Sequence, residues 1–199
     1  MNYEIILTVL MGIGLSAASG FRIFVPFLVI SIASISGNLT LADSFSWIGT
    51  VPALITFSVA TTLEIIGYFI PWVDNILDTI ATPTAVIAGI ILTASVITGM
   101  SPMLKWTLAI IAGGGIAASI QALTGVTRVT STATTAGLGN PVVSSVELGG
   151  SLFLALIAVF IPVIAAVIAI VLVFWSIKFL VKKFIIKRNP SYIIIRSER

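Results

Sequence analysis

The sequence predicts an all-α polytopic membrane protein, and three observations carry that expectation. Only 9% of the residues are charged while 58% are hydrophobic, whereas a soluble domain carries about 25% charged residues to face water. Several apolar runs reach or pass the ~20 residues that cross a hydrocarbon core about 30 Å thick. Trp47, Trp72, Trp106 and Trp175 each fall at the edge of such a run, at the head-group level that the amphipathic indole prefers.

The elements follow in order. The opening "MNYEIILTVL" has no Lys or Arg ahead of its apolar stretch, and that stretch is too long for a signal-peptide core, so it is expected to stay as a span. Segment one runs from Ile5 to Ile35 with Gly12, Gly14, Gly20 and Pro26 inside it. At 1.5 Å per residue it is too long for one straight crossing and should be tilted, kinked or broken near Gly20 to Pro26. Segment two spans Pro52 to Ile70 and carries Glu64. The polar stretch "PWVDNILDTIATP" then reads as an interfacial loop, with Asp74 and Asp78 four apart and on one face if helical. Segment three, Pro83 to Thr98, is short and ends in "GMSP". Segment four runs from Leu104 to Leu123.

The stretch "TGVTRVTSTATTAGLGNP" that follows is rich in Thr and Gly, and Asn140-Pro141 reads as a helix start. A solvent loop would carry more Lys, Glu and Asp. Irregular backbone at membrane depth survives only when buried in protein or lining water. The stretch is therefore expected to be a re-entrant or broken-helix element. The last apolar block, Val142 to Val181, is about twice one span with Pro162 at its middle. It is either one helix kinked at Pro162 or two spans with a tight turn there.

Two halves echo each other. The order small-residue helix, arginine, proline, glutamate and "FIP" occurs once through Arg22, Pro52, Glu64 and Phe69–Pro71, and again through Arg128, Pro141, Glu147 and Phe160–Pro162. Three spans between the copies would turn the second upside down, the plan of inverted-repeat transporters with a site near the midplane. The expectation is one transmembrane domain over residues 1–182, with repeat one at about 5–98 and repeat two at about 104–181. That makes six segments with both termini on one side, or five if the last block is one kinked helix. Seven of the ten basic residues lie between Lys178 and Arg199, so residues 183–199 read as a basic cytoplasmic tail. Such a tail also attracts anionic lipid; nucleic acid is not an expected partner. The expected location is the bacterial cytoplasmic (inner) membrane.

The chain has no cysteine and no histidine. Disulfides, thiolate nucleophiles, His-containing zinc sites and Ser-His-Asp catalysis are therefore out of reach, and neither phosphate-cradling nor dinucleotide-binding motifs occur. No enzyme activity, cofactor or metal is expected.

The remaining candidates are charges inside the membrane, which are costly and so pair or line a cavity. Arg22 sits among Ser16, Ala17, Ala18, Ser19 and Gly20, small residues that let another helix approach. It is expected either to pair with Glu64 or to face a polar cavity. Arg128 lies among hydroxyls, so Arg22, Arg128, Thr132, Thr135 and Asn140 form the expected substrate-binding set, with Glu64 and Glu147 coupling or gating. Ser16/Gly20 spacing also permits self-association.

The stretches "GLSAASGFR", "LEIIGYFIPWVDNILD" and "TRVTSTATTAGLGNPVVSSVE" resemble the bacterial membrane-protein family known as domain of unknown function 4126. The resemblance covers the chain up to about Val181, is most specific in the Thr-rich motif, and implies a membrane location without assigning a substrate. From the residues, the leading expectation is a small transporter or channel-like protein with an Arg/Thr-lined site for an anionic solute or head group. Binding or translocation of a phosphate-bearing lipid, or a non-transporting scaffold or assembly factor, are the alternatives.

Overall fold

A computed structural model describes residues 3–188, and every regular element among them is helical. In chain order these are α1 (Tyr3–Phe21), α2 (Phe24–Ile35), a 3-10 helix (Asp43–Gly49), α3 (Val51–Gly67) and α4 (Pro71–Val96). Next, α5 (Pro102–Leu108) leads through a π-helical stretch (Ala109–Gly114) into α6 (Gly115–Thr135), followed by α7 (Asn140–Phe160) and α8 (Pro162–Arg188). Among the described residues five stretches are long and apolar enough to cross a membrane: Tyr3–Phe21, Trp72–Val96, Pro102–Thr135, Asn140–Phe160 and Pro162–Lys183. The 3-10 helix and α3, bent by 66°, make a sixth if taken as one broken span.

Helix α1 is the central post, and its small residues explain why. A Cβ on Gly14 would lie 2.7 Å from the Ala165 methyl and 2.9 Å from that of Ala158, and one on Gly20 would meet Ile120 at 2.6 Å. No larger residue fits where α6, α7 and α8 close on α1. Ser16, Ser19 and Gly20 are thus wholly spent on packing within the chain, and the Ser16/Gly20 pair is not a free surface for self-association. Ser16 also donates to the Gly89 carbonyl and shares a hydrogen bond with Thr93. Such bonds tie helices together where apolar burial gives no drive.

Neighbour order along α1 fixes the direction of each helix. Ser151 donates to the Ala18 carbonyl while Ala158 faces Gly14, so α7 runs antiparallel to α1. Gly113 lies against Thr93, which itself bonds Gly12, while Ala117 and Ile120 face Gly20, so α6 runs parallel to α1. Ser176 bonds the Ser119 carbonyl and Lys183 bonds Thr130, so α8 runs parallel to α6.

These directions correct several expectations. Ala158 and Ala165 both meet Gly14, so Val142–Val181 is an antiparallel pair of helices reversing at Ile161 and not one kinked rod. The two small-residue helices that precede Arg22 and Arg128 run the same way, so the copies are not related by inversion. The cause is α2, a short extra antiparallel helix with no counterpart in the second half. It also follows that α1 begins at the end of the bundle opposite to that where α8 finishes, which removes the six-span arrangement with both ends together. The polar stretch from Pro71 is helical and continuous with segment three.

The Thr-rich stretch is likewise not re-entrant. Through Thr135 it is the end of α6, and its hydroxyls fold back onto carbonyls one turn earlier: Thr127 on Leu123, Thr130 on Val126 and Thr135 on Ser131. Such back-bonding lets threonine complete a helix without external partners. The reversal is confined to Ala136–Gly139, where Ala136 (φ 51°) and Gly137 (φ 86°) adopt the left-handed conformation that ends helices. The basic tail begins inside α8, and residues 189–199 lie outside the described residues.

Candidate functional site

The site begins where α1 breaks. Pro26 has no N–H and its ring crowds the carbonyl of the residue four back, which is Arg22, and here the helix breaks between Phe21 and Phe24. The break leaves backbone groups that no water can reach in a membrane, and each must find a partner within the protein. Glu64 on α3 takes both freed donors: its Oε1 accepts from the Ile23 N–H at 2.8 Å and its Oε2 from the Phe24 N–H at 3.0 Å. The carboxylate thereby caps the N-terminus of α2, where the helix dipole favours negative charge. The Ser151 hydroxyl, bonded mainly to Ala18, also reaches the Arg22 carbonyl at 3.5 Å.

Arg22 is 1% exposed. Its Nη2 donates to the Ser144 carbonyl at 3.1 Å and lies 3.8 Å from Glu147 Oε2. The expected ion pair with Glu64 is not formed, because Glu64 is committed to α2. The Nε and Nη1 of Arg22 are buried with no hydrogen-bond partner among the described residues.

Arg128 on α6 is placed differently. Its Nε donates to Glu147 Oε1 at 3.1 Å and its Nη2 bonds Glu147 Oε2, so Glu147 fills the side fork. Nη1 bonds Asp74 Oδ1, and Nη2 also reaches the Ser144 hydroxyl at 3.1 Å. Asp78 approaches Nε at 3.7 Å. Planar two-point contact of this kind is what a guanidinium gives and an ammonium does not.

Tyr68, in the turn between α3 and α4, joins the two arginines. The Cζ atoms of Arg22 and Arg128 each lie 4.0 Å from its ring centroid. Both guanidiniums thus gain cation–π attraction from one ring. The cluster thus holds two cations against four carboxylates, Glu64, Asp74, Asp78 and Glu147. Among these, Asp78 Oδ1 is buried with no hydrogen-bond partner among the described residues, although its side chain is 26% exposed.

The other expected site residues fall further out. Asn140, at the start of α7, donates to Asp74 Oδ2 at 2.9 Å and to the Thr132 hydroxyl at 3.0 Å. Thr132 therefore touches the cluster through Asn140 alone. Thr135 does not reach it: its hydroxyl accepts from the Gly139 N–H at 2.9 Å and holds the turn. Asp74, expected at an interface, is 1% exposed.

Sequence reasoning missed Tyr68, Asp74, Asp78 and Ser144 as site residues. Asn140, Ser144 and Glu147 are spaced four and three apart, a single polar helix stripe that was available to be read. Among the described residues no three acids converge to hold a metal ion.

Hollows among the described residues approach the cluster. One of about 260 Å³ opens at the α6–α7 turn and reaches Tyr68, Asp74, Thr132 and Asn140. A second, about 380 Å³ and almost wholly apolar, lies between α3 and α4 with Glu64 and Tyr68 in its wall. A third, about 320 Å³, lies among α6, α7 and α8 and touches Glu147. Seven residues separate Glu147 from Asn140, so the cluster sits about 10 Å inside one end of the bundle. No curated protein and no solved structure matches the chain. The description "Domain of unknown function (DUF4126)" matches residues 9–182, and the chain belongs to that family.

Proposed function

We propose that the protein is a small proton-coupled membrane carrier whose charged cluster takes up and releases a proton as its ion pairs exchange. The observation that carries this reading is the imbalance of the cluster, two arginines against four carboxylates in a region almost closed to water. Buried like charges are not sustained without neutralisation, and a proton is the smallest neutraliser. Asp78, whose Oδ1 lacks a hydrogen-bond partner and whose side chain is partly exposed, is the group placed to exchange it. The short α2, which begins at Phe24 just past Arg22, supports the same reading, since broken helices whose ends point at a charged site recur in carriers.

The expectation of an anionic solute meets an obstacle at Arg128, whose donors already serve Glu147, Asp74 and Ser144. An anion would have to displace protein carboxylates there. One observation favours that second reading, namely the two free nitrogens of Arg22. In either case Thr132 and Asn140 support Asp74, and Glu147 gates by passing between the two arginines.

Orientation is part of the proposal. The cluster lies at the end of the bundle where α8 carries Lys178, Lys182 and Lys183, and basic residues beside a span favour the cytoplasmic side. The bacterial cytoplasmic membrane, with the α6–α7 turn facing the cytoplasm, follows. Cysteines at Leu138 and Asn38 should label from opposite sides of the membrane.

Proteoliposomes on a solid-supported membrane test the coupling without a known substrate. A pH jump should displace charge in the wild-type protein, and Asp78→Asn should reduce that displacement at least fivefold. Displacement by phosphate or carboxylate jumps, with none by pH, would establish the anion reading in its place.

A further inference from the structure

Two features of the cluster are unfulfilled, and they are of opposite kind. Arg22, 1% exposed, holds two nitrogens with no acceptor, and Asp78 holds a buried oxygen with no donor. Both side chains border the same centre: Arg22 and Arg128 each lie over the Tyr68 ring, and Asp78 lies 3.7 Å from Arg128. One ligand that brings an anionic and a cationic group together would satisfy both without changing the net charge of the cluster. A simple anion would deepen the surplus of carboxylates, and a simple cation would leave Arg22 unanswered.

The hollows say how such a ligand arrives. Helix α3 packs on α2 and meets α4 near their shared turn, where Gly67 approaches Val73 and Leu77. Beyond that the two helices part, and the gap of about 380 Å³ is walled by Ile23, Phe24, Ala60, Leu77 and the exposed Leu63 and Ile80. Tyr68 lines this apolar gap and also the polar hollow that holds Asp74, Thr132 and Asn140. Arg22 and Asp78 stand just behind these walls, Arg22 against the Tyr68 ring and Asp78 next in the chain to Leu77. An apolar slot beside a hollow that carries Asp74, Thr132 and Asn140 suits a molecule with a tail and a head.

We propose that the ligand of this site is an amphipath with a zwitterionic head group, entering from the bilayer between α3 and α4. Its anionic group takes the free donors of Arg22 and its ammonium group takes the surplus carboxylate at Asp78, while its chain lies in the α3–α4 gap. The proposal rests on the carrier reading above and names the substrate class of the same cluster.

The test adds matched probes to the full chain purified in detergent and reads the thermal unfolding midpoint. The probes are dihexanoylphosphatidylethanolamine, dihexanoylphosphatidylglycerol, dihexanoylglycerol and free phosphoethanolamine. The zwitterionic lipid should raise the midpoint by several degrees more than the other three. Ala60→Phe, which fills the gap from the edge of α3, should remove that advantage, and Arg22→Gln should reduce it to the level of dihexanoylglycerol. Equal shifts from all three lipids would overturn the proposal, as would an unaltered shift in Ala60→Phe. A shift with phosphoethanolamine alone would make the ligand a soluble zwitterion and overturn entry from the bilayer. If Arg22→Gln fails to fold, Ala60→Phe on the bundle's rim still decides. A pH-driven charge displacement that persists without lipid selectivity would leave the carrier standing and remove only this ligand.

Discussion

Arg22 and Arg128 both lie over one tyrosine ring, and they are held in different ways. Arg128 projects from the inward face of an intact helix into a ring of acceptors supplied by α4 and α7. Arg22 projects from the point where a helix stops, makes one hydrogen bond to a backbone carbonyl, and keeps two nitrogens free. A charge on continuous helix can be met from all sides by neighbouring helices. A charge at a break shares its surroundings with the loose backbone ends, which here claim the nearest carboxylate first. The difference separates a cation that holds the bundle together from one left with donors to offer.

The largest effect expected from this comparison is at Arg128. Arg128→Ala would leave Glu147 and Asp74 buried without their partner, and breaking a buried pair on one side costs about 3–5 kcal/mol. Thermal unfolding in detergent should show a loss large enough to prevent recovery of folded protein. Arg128→Lys keeps the charge but cannot fill the fork of Glu147 while reaching Asp74, so it should fall between wild type and Ala. An Arg128→Ala protein as stable as wild type would show that the ring of acceptors is not holding the helices.

Glu64 comes next. Glu64→Ala would strand two backbone donors at the head of α2, and an unsatisfied buried donor costs about 1–3 kcal/mol. Glu64→Gln keeps one acceptor oxygen and should lose less than half as much. Arg22→Gln should cost less than either Arg128 variant, because it removes a single hydrogen bond, to the Ser144 carbonyl, and relieves two orphan nitrogens. Since Arg22 and Glu64 share no hydrogen bond but lie in one cluster, their double mutant should couple, and less strongly than the double mutant of Arg128 and Glu147. Strong coupling between them would return Glu64 to the role of counter-ion.

How much of this was legible in the sequence depends on what kind of physics wrote each part. Membrane class, the break between Gly20 and Pro26 and the start of α7 at Asn140 are local signals, and proline, glycine and hydropathy announce them without any partner. That Arg22, Arg128 and Glu147 meet follows from the rule that membrane charges seek company. Which carboxylate goes to which arginine was not legible. Glu64 looked like the counter-ion of Arg22, but two unpaired N–H groups at its own depth outbid a guanidinium that had another choice. The polar stretch from Pro71 looked like a loop because Asp74 and Asp78 are charged. Its helical continuity depends on Arg128 being there to receive them, a contact 54 residues away. Direction was the hardest to read, since a 12-residue helix that reverses the chain once turns an apparent inversion into a parallel pair.

The smallest effect is expected at the threonines, and it tests the outer limit of the site. Thr132 and Thr135 stand on the same helix face region as Arg128, and composition alone grouped them with it. The structure separates them: Thr132 supports Asn140 and through it Asp74, whereas Thr135 closes the turn at Gly139. Thr132→Val should therefore loosen Asn140 and diminish any pH-driven charge displacement by a modest factor of about two. It should cost about 0.5–1.5 kcal/mol in stability, the net worth of one hydrogen bond. Thr135→Val should cost a similar amount in stability and leave the displacement unchanged, because the bond it loses belongs to the turn. Measuring both quantities on both variants distinguishes the two roles. If Thr135→Val alters the displacement as much as Thr132→Val does, then the turn itself takes part in opening the polar hollow. The boundary drawn here between cluster and cap would then be set too close to Asp74.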